Sequence, residues 1–271
     1  MSAHDRLAIL GTGNIGRAMA LGLEKAGVFR PGDITLTRRQ TGRLDDLARR
    51  GFEIRTDNRD AVRRASVVII AVTPHDLNGV LAEIAPDIDP KAHLLVSVVS
   101  GAGIADIRRE VGGDVAVVRA MPNTAIAIGQ SMTCLASDSP RPEVLARAAT
   151  IFDAVGRTVV IGEELMVPAT ALCACGVAFF LRAVRAASQG GIEIGFHPAE
   201  ALVMAAQTAL GAAALALQEG GHPEREIDSV TTPRGCTIAG LNEMEHRGFS
   251  SSLIRGIVTS AAKAGALYAP R

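Results

Sequence analysis

Residues 6–10, Arg-Leu-Ala-Ile-Leu, run directly into Gly11-Thr12-Gly13-Asn14-Ile15-Gly16. A short apolar run closed by glycine reads as a buried strand, and the residues from there to Gly27 carry helical periodicity. GxGxxG acquires physical meaning when it joins a strand to a helix in this way. The first glycine permits a tight turn, the second lets a phosphate approach the backbone, and the third lets the helix pack close to the strand. The helix N-terminus then offers unpaired N–H groups and a positive dipole end to an anion. Dinucleotide binding at Gly11, Thr12, Gly13, Asn14, Ile15 and Gly16 is the expectation.

Working outward, a second strand is expected at Ile34–Thr37 after Pro31-Gly32, and a short helix at 43–50. Ser66-Val-Val-Ile-Ile-Ala-Val72 is a continuous β-branched run, as in a parallel strand covered on both faces. His93–Val99 and Val115–Ala120 repeat it, with helices expected near 76–85 and 103–110. Strands alternating with helices indicate a doubly wound α/β domain. Short strands at 131–136 and 157–161 complete it. Beyond Gly162 no strand is expected, and helices are read at 163–189, 198–219, 235–247 and 250–268. The expected organisation is an α/β Rossmann domain over 1–161 followed by an all-α domain over 162–271.

Composition narrows the function classes. The chain has 271 residues with equal numbers of acidic and basic side chains and no long run of either sign. No nucleic-acid footprint or polybasic membrane patch is therefore expected. Four cysteines, at 134, 173, 175 and 236, form no CxxC pair. With no His pair at zinc spacing, no metal site is expected and the thiols read as reduced and cytoplasmic. No secretory leader is read ahead of the first strand. Leu165–Leu181 and Ala201–Gln218 are uncharged, but both fall short of the ~20 strongly apolar residues of a bilayer span. They read as helices buried between domains or subunits.

The second strand ends Thr37-Arg38-Arg39, where an NAD site usually carries an acid for the ribose 2′-hydroxyl. A guanidinium fork instead suits a 2′-phosphate. Arg38 and Arg39 therefore point to NADPH, with NADH possible. Ligands of open α/β sheets lie across the carboxyl ends of strands. That places Ala71, Val72, Thr73 and Pro74, then Ser100, then Asn123 of the Met121-Pro122-Asn123-Thr124 turn, beside the cofactor.

These segments, with Ala71-Val-Thr-Pro-His75, Ser97-Val-Val-Ser-Gly-Ala-Gly-Ile104 and Met121-Pro-Asn-Thr-Ala-Ile-Ala-Ile-Gly129, resemble pyrroline-5-carboxylate reductase. The resemblance runs nearly the full length. Thr170-Ala-Leu-Cys-Ala-Cys-Gly176 is similar to the family's Thr-Gly-Leu-Ser-Gly-Ser-Gly, and Gly190-Gly-Ile-Glu-Ile-Gly195 to its Gly-Gly-Val-x-x-Gly. Thr232-Pro-Arg-Gly-Cys-Thr-Ile238 is similar to its Ser-Pro-Gly-Gly-x-Thr-x loop. The resemblance implies NAD(P)H-dependent reduction of 1-pyrroline-5-carboxylate to L-proline. It also implies a homodimer with interlocked C-terminal helices, often assembled further, with active sites shared between subunits.

Reduction of an imine acid requires that the carboxylate be held and the nitrogen be protonated or hydrogen-bonded as hydride arrives. By the resemblance, Thr232, Arg234, Gly235 and Cys236, with Cys173 and Cys175, bind substrate. The N–H groups of Gly235, Cys236 and Thr237 are expected to cup the carboxylate, and Thr237 is the catalytic candidate. A helix N-cap is the alternative role for Thr237. The whole scheme has the Gly11–Gly16 turn presenting a nicotinamide to the 232–238 segment.

The departures concentrate in the substrate segments. Cys173 and Cys175 replace serines, Ala171 and Ala174 glycines, Val177 a proline and Arg234 a glycine; Thr73 replaces a lysine. Thiols are weaker hydrogen-bond partners than hydroxyls, and Arg234 adds charge beside the carboxylate cradle. Spacing i, i+2 puts Cys173 and Cys175 on different helix faces, where a buried structural pair is expected. Two alternatives stay open: a related imine reductase acting on another cyclic or more acidic imine, and a catalytically silent NADPH-binding paralogue. The β-hydroxyacid dehydrogenases, which share a Rossmann start, use a lysine on the first interdomain helix, and 163–189 has none.

Overall fold

Continuous apolar strands require cover on both faces, and the structure supplies it. In the computed structural model, which describes residues 5–268, the strands are β1 (Leu7–Leu10), β2 (Ile34–Thr37), β3 (Glu53–Arg55), β4 (Val67–Ile70), β5 (Leu94–Ser97), β6 (Ala116–Met121), β7 (Ser131–Ala136) and β8 (Gly156–Val160). They form one sheet in the order β3-β2-β1-β4-β5-β6-β7-β8. Every pairing is parallel except β6 with β7. The reversal from leftward to rightward winding falls between β1 and β4, the place where an open sheet leaves a crevice at its carboxyl edge.

The helices of this part are α1 (Asn14–Lys25), α2 (Asp45–Arg49), α3 (Asn58–Arg63), α4 (Pro74–Ile84), α5 (Ile104–Val111), α6 (Pro142–Asp153) and α7 (Met166–Ala169). Alternate strand residues feed two cores. Leu7 and Ile9 pack with Met19 and Leu23 of α1 and with Phe152 of α6. Ala8 and Leu10 pack with Val62, Leu77, Leu81 and Ile107 of α3, α4 and α5. A third, smaller cluster sets Met121, Cys134 and Ala136 of β6 and β7 against Met166 and Ala169 of α7.

The remaining helices are α8 (Gly176–Glu193), α9 (Pro198–Ala216), α10 (Pro223–Ser229), α11 (Cys236–His246) and α12 (Phe249–Gly265). By contacts the chain divides into two units, one ending at Cys175 and resuming at Ser260, the other running Gly176–Thr259. The last strand ends at Val160, but α7 and the turn after it pack on β6 and β7, so they stay with the sheet. The last described residues stay there too. The hydroxyl of Tyr268, the sole tyrosine, donates to Asn78 Oδ1 at 2.9 Å. Its main chain crosses Gly101 so closely that a Cβ there would lie 3.1 Å from Tyr268 N.

Several elements differ from expectation. β3, α3, α6 and α10 lie outside the elements expected from the sequence: β3 is three residues long and half-exposed, so it carries little alternation. The legible signal was in α6, where Pro142 opens the helix and Val144, Ala148, Ile151 and Phe152 share its buried face. The helix expected at 163–189 runs on to Glu193, and Thr170–Cys175 within it is π-helical. The i, i+2 face argument for Cys173 and Cys175 therefore does not apply, and both are half-buried rather than buried.

In the second unit α8 and α9 pack together, and a Cβ on Gly191 would stand 3.1 Å from Ala201 Cβ. The stretches Glu163–Glu193 and Pro198–Ala216 are long and apolar enough, by length and composition alone, to cross a membrane. Phe180, Leu181, Val203 and Leu210 on these helices are exposed in the single chain, as are Ile254 and Val258 of α12. The expected burial of these faces is thus not supplied within one chain.

Candidate active site

The crevice at the β1–β4 switch opens onto a cavity of about 820 Å³ lined by Gly11, Thr12, Gly13, Arg38, Arg39, Ala71, Val72 and Thr73 among others. Each glycine of the turn has its own reason to be glycine. Gly11 has φ +90°, and a Cβ there would lie 2.6 Å from Val72 Cγ1 and 2.9 Å from Ala71 O. At Gly16 a Cβ would meet Gly11 O at 2.6 Å, so α1 can rest on the turn only without a side chain. At Gly13 nothing lies within 4 Å, which leaves open space at the mouth of α1. Gly13 is the N-cap of α1 and no side chain among the described residues caps the helix, so the N–H groups of its first turn have no side-chain partner there.

The turn is fastened to β2. Thr12 N and Thr12 Oγ1 both donate to Thr37 O, at 2.9 and 3.1 Å. Thr37 Oγ1 donates to Asn58 Oδ1 at 2.6 Å, and Asn58 Nδ2 donates to Glu83 Oε2 at 2.9 Å. The Arg38 guanidinium donates to the carbonyl of Thr12. Arg39 reaches over the cavity mouth with its side chain 88% exposed, its Nη2 3.6 Å from Asp76 Oδ1. Asp76 is held at the start of α4 by a 2.7 Å bond from Thr73 Oγ1. An open cradle at a helix N-terminus beside two guanidiniums fits a dinucleotide with a 2′-phosphate.

Gln40, Thr56, Asn58, Asp76 and Glu83 also line the cavity and were missed from sequence. Thr56 and Asn58 follow β3, which pairs with β2 only in the folded sheet. Asn14, Ile15 and Gly16 form the first turn of α1, and Pro74 the first turn of α4. Ser100 and Asn123 follow β5 and β6, outside the residues lining this cavity. The side-chain amide of Asn123 is engaged within the protein: Nδ2 donates to Cys173 O at 3.2 Å, and Oδ1 accepts from Ala125 N at 3.0 Å. Cys173 Sγ stands 3.7 Å from Cys134 Sγ.

In the second unit, Thr232-Pro233-Arg234-Gly235 forms a tight turn into α11. Gly235 N donates to Thr232 O at 2.9 Å. This corrects one expectation: the Gly235 N–H closes the turn and is not free to hold a carboxylate. The amides of Cys236 and Thr237 remain, at a helix start where no side chain caps. Gly235 is the N-cap, so Thr237 lies inside the first turn, half-buried, and the alternative role of N-cap is not the one it adopts. A Cβ on Gly235 would collide with the Thr232 hydroxyl and stand 2.9 Å from Thr232 O. Arg234 has φ +61°, alone among the described non-glycine residues in positive φ. Thr232, Arg234 and Cys236 are exposed.

Comparison with known proteins accounts for both units. Residues 163–267 match the family model for pyrroline-5-carboxylate reductase dimerisation, and residues 6–101 match that for NADP oxidoreductase, coenzyme F420-dependent. The chain is 51% identical to pyrroline-5-carboxylate reductase 1 of Dictyostelium discoideum over 99% of its own length. It spans about half of that relative, 51%. Pyrroline-5-carboxylate reductase 2 of the same organism is 44% identical, covering 96% of this chain and 92% of the relative. Among solved structures, Plasmodium falciparum pyrroline carboxylate reductase with NADP bound superimposes with a TM-score of 0.88. It is 22% identical, covering 99% of this chain and all of that one.

Proposed function

The chain belongs to the pyrroline-5-carboxylate reductase family, and from that membership we propose that it reduces the C=N bond of 1-pyrroline-5-carboxylate to L-proline with NADPH. The observation that carries this reading is the open cradle at Gly13 beside Arg38 and Arg39, in a chain that aligns with the family almost end to end. When bound, NADPH supplies the hydride that the imine carbon receives.

The chain's own residues do the rest. The α1 amides and dipole hold the pyrophosphate, and Arg38 and Arg39 hold the 2′-phosphate. The amides of Cys236 and Thr237 bind the substrate carboxylate, and Gly235 keeps the turn tight enough to aim them. The Thr237 hydroxyl donates a hydrogen bond to the imine nitrogen as electron density shifts onto it. Thr232, Cys173 and Cys175 line the substrate site, and Ser100 and Asn123 the nicotinamide end of the cofactor site.

The dimerisation match supports a homo-oligomer. Its exposed apolar faces on α8, α9 and α12 are the dimer interface, with helices of the two subunits interlocked, rather than membrane spans. Sedimentation at micromolar concentration tests this, and a monomer contradicts it. Cytoplasmic residence is part of the same proposal.

One observation favours a second substrate. A guanidinium at φ +61°, where the family has glycine, sits beside the carboxylate cradle, and it suits an imine with a further acidic group. NADPH oxidation against a panel of cyclic and acyclic imines, with NADH in parallel, decides between them. Turnover of pyrroline-5-carboxylate above every other imine supports the first reading. A gain in that activity from Arg234→Gly, with a more acidic imine preferred by the parent, supports the second. No turnover of any imine refutes both and leaves a silent NADPH-binding paralogue.

A further inference from the structure

Two cysteines far apart in sequence meet beneath the π-helical turn. Cys134 lies on β7 in the cluster formed with Met121, Met166 and Ala169, and Cys173 packs against that cluster. The Sγ–Sγ separation is 3.7 Å. Both residues belong to the same compact unit. A disulfide needs its sulfurs at about 2.05 Å, so the gap to close is of the order of 1.6 Å and can be shared between two side chains. The two thiols differ in access: Cys134 is only 6% exposed, whereas Cys173 is half-buried. We propose that Cys134 and Cys173 form a paired thiol site that a hydroperoxide converts to an intramolecular disulfide.

The chemistry assigns the roles. The hydrogen bond shared by the two sulfurs holds the Cys173 thiol down at about 7, against the effect of burial. The thiolate is the reactive form, so Cys173 attacks first. Its sulfur takes one peroxide oxygen, the O–O bond breaks, and the other oxygen leaves as alcohol or water. The Cys134 sulfur then attacks the Cys173 sulfenic acid; the S–S bond forms, the S–O bond breaks, and water departs with the Cys134 proton. Two thiols and one hydroperoxide give one disulfide, one alcohol or water, and one water. The link draws the π-helical turn toward β7 at the residue whose carbonyl receives the Asn123 amide.

The test uses the full chain, treated with hydrogen peroxide near pH 7, alkylated under denaturing conditions and mapped as non-reduced peptides. The expected result is loss of two alkylatable thiols per chain and a cross-linked peptide pair holding residues 134 and 173, released by dithiothreitol. Because Cys173 and Cys175 share a tryptic peptide, the same map is made on Cys175→Ser, where the cross-link persists, and on Cys173→Ser, where it is lost. Sulfinic acid at Cys173 with Cys134 still alkylatable overturns the proposal. So does a cross-link that survives Cys173→Ser, or retention of all thiols in the parent chain.

Discussion

Gly13→Ala separates cofactor binding from folding. Gly13 has φ −83°, which alanine adopts freely, and the added Cβ meets nothing within 4 Å. The folded protein therefore loses no contact, and the stiffer unfolded chain adds up to about 0.4–1 kcal/mol of stability. The methyl group instead occupies space that the pyrophosphate needs. Displacing the phosphate from one backbone N–H forfeits a charge-assisted bond of roughly 1.5–3 kcal/mol. At about 1.4 kcal/mol per tenfold, NADPH binding weakens by roughly 10- to 150-fold. Gly16→Ala is the counterpart: its Cβ would lie 2.6 Å from Gly11 O, and overpacking of that kind costs about 1–3 kcal/mol of stability itself. The assay is thermal unfolding with and without NADPH, with NADPH fluorescence titration alongside. Ligand at a hundred times its Kd stabilises the parent by about 2.7 kcal/mol. At the same concentration a thirtyfold weaker variant gains only about 0.9 kcal/mol. Unchanged NADPH affinity in Gly13→Ala, or a ligand-free melting point that drops as far as that of Gly16→Ala, refutes the reasoning.

Arg39→Ala removes an exposed guanidinium from the cavity mouth. It raises KM for NADPH by roughly tenfold or more while leaving NADH within about twofold, as parallel steady-state assays would show. Glu163→Gln removes the charge opposite buried Arg119, whose Nη1 lies 3.5 Å from Glu163 Oε1 and whose Nη2 has no hydrogen-bond partner among the described residues. Burial already pushes the Arg119 guanidinium below its ordinary value, with Glu163 working against that. Glu163 is 37% exposed, so the cost is about 1–2 kcal/mol, below that of breaking a fully buried pair. A lower urea midpoint reports it, and an unchanged midpoint contradicts it. Asp46, Asp60, Asp87 and Asp138 are held below the ordinary carboxylate value by Arg17, Arg64, Arg59 and Arg108. Lowered folded-state values stabilise above the unfolded value of 3.8, and that contribution is lost as pH falls from there through the folded-state values. Melting points measured from neutral pH down to pH ~3 should hold steady above about pH 5 and fall below about pH 4, more steeply at low salt because exposed pairs are screened.

The sequence alone determined what depends on neighbours along the chain. Apolar runs placed the core strands, because a strand buried on both faces must be apolar throughout. The Gly11–Gly16 spacing and Arg38-Arg39 pointed to residues that line the cavity at the β1–β4 switch, because a turn, a helix start and a strand end are local. Tertiary structure alone decided what depends on residues distant in sequence. Asn58 joins Thr37 only once β3 lies beside β2. Tyr268 docks on Asn78 across 190 residues. Cys134 meets Cys173 because the chain takes a π-helical turn over β7, which no periodicity announces. The positive φ of Arg234 is likewise set by the turn that Gly235 closes, since arginine by itself disfavours that conformation.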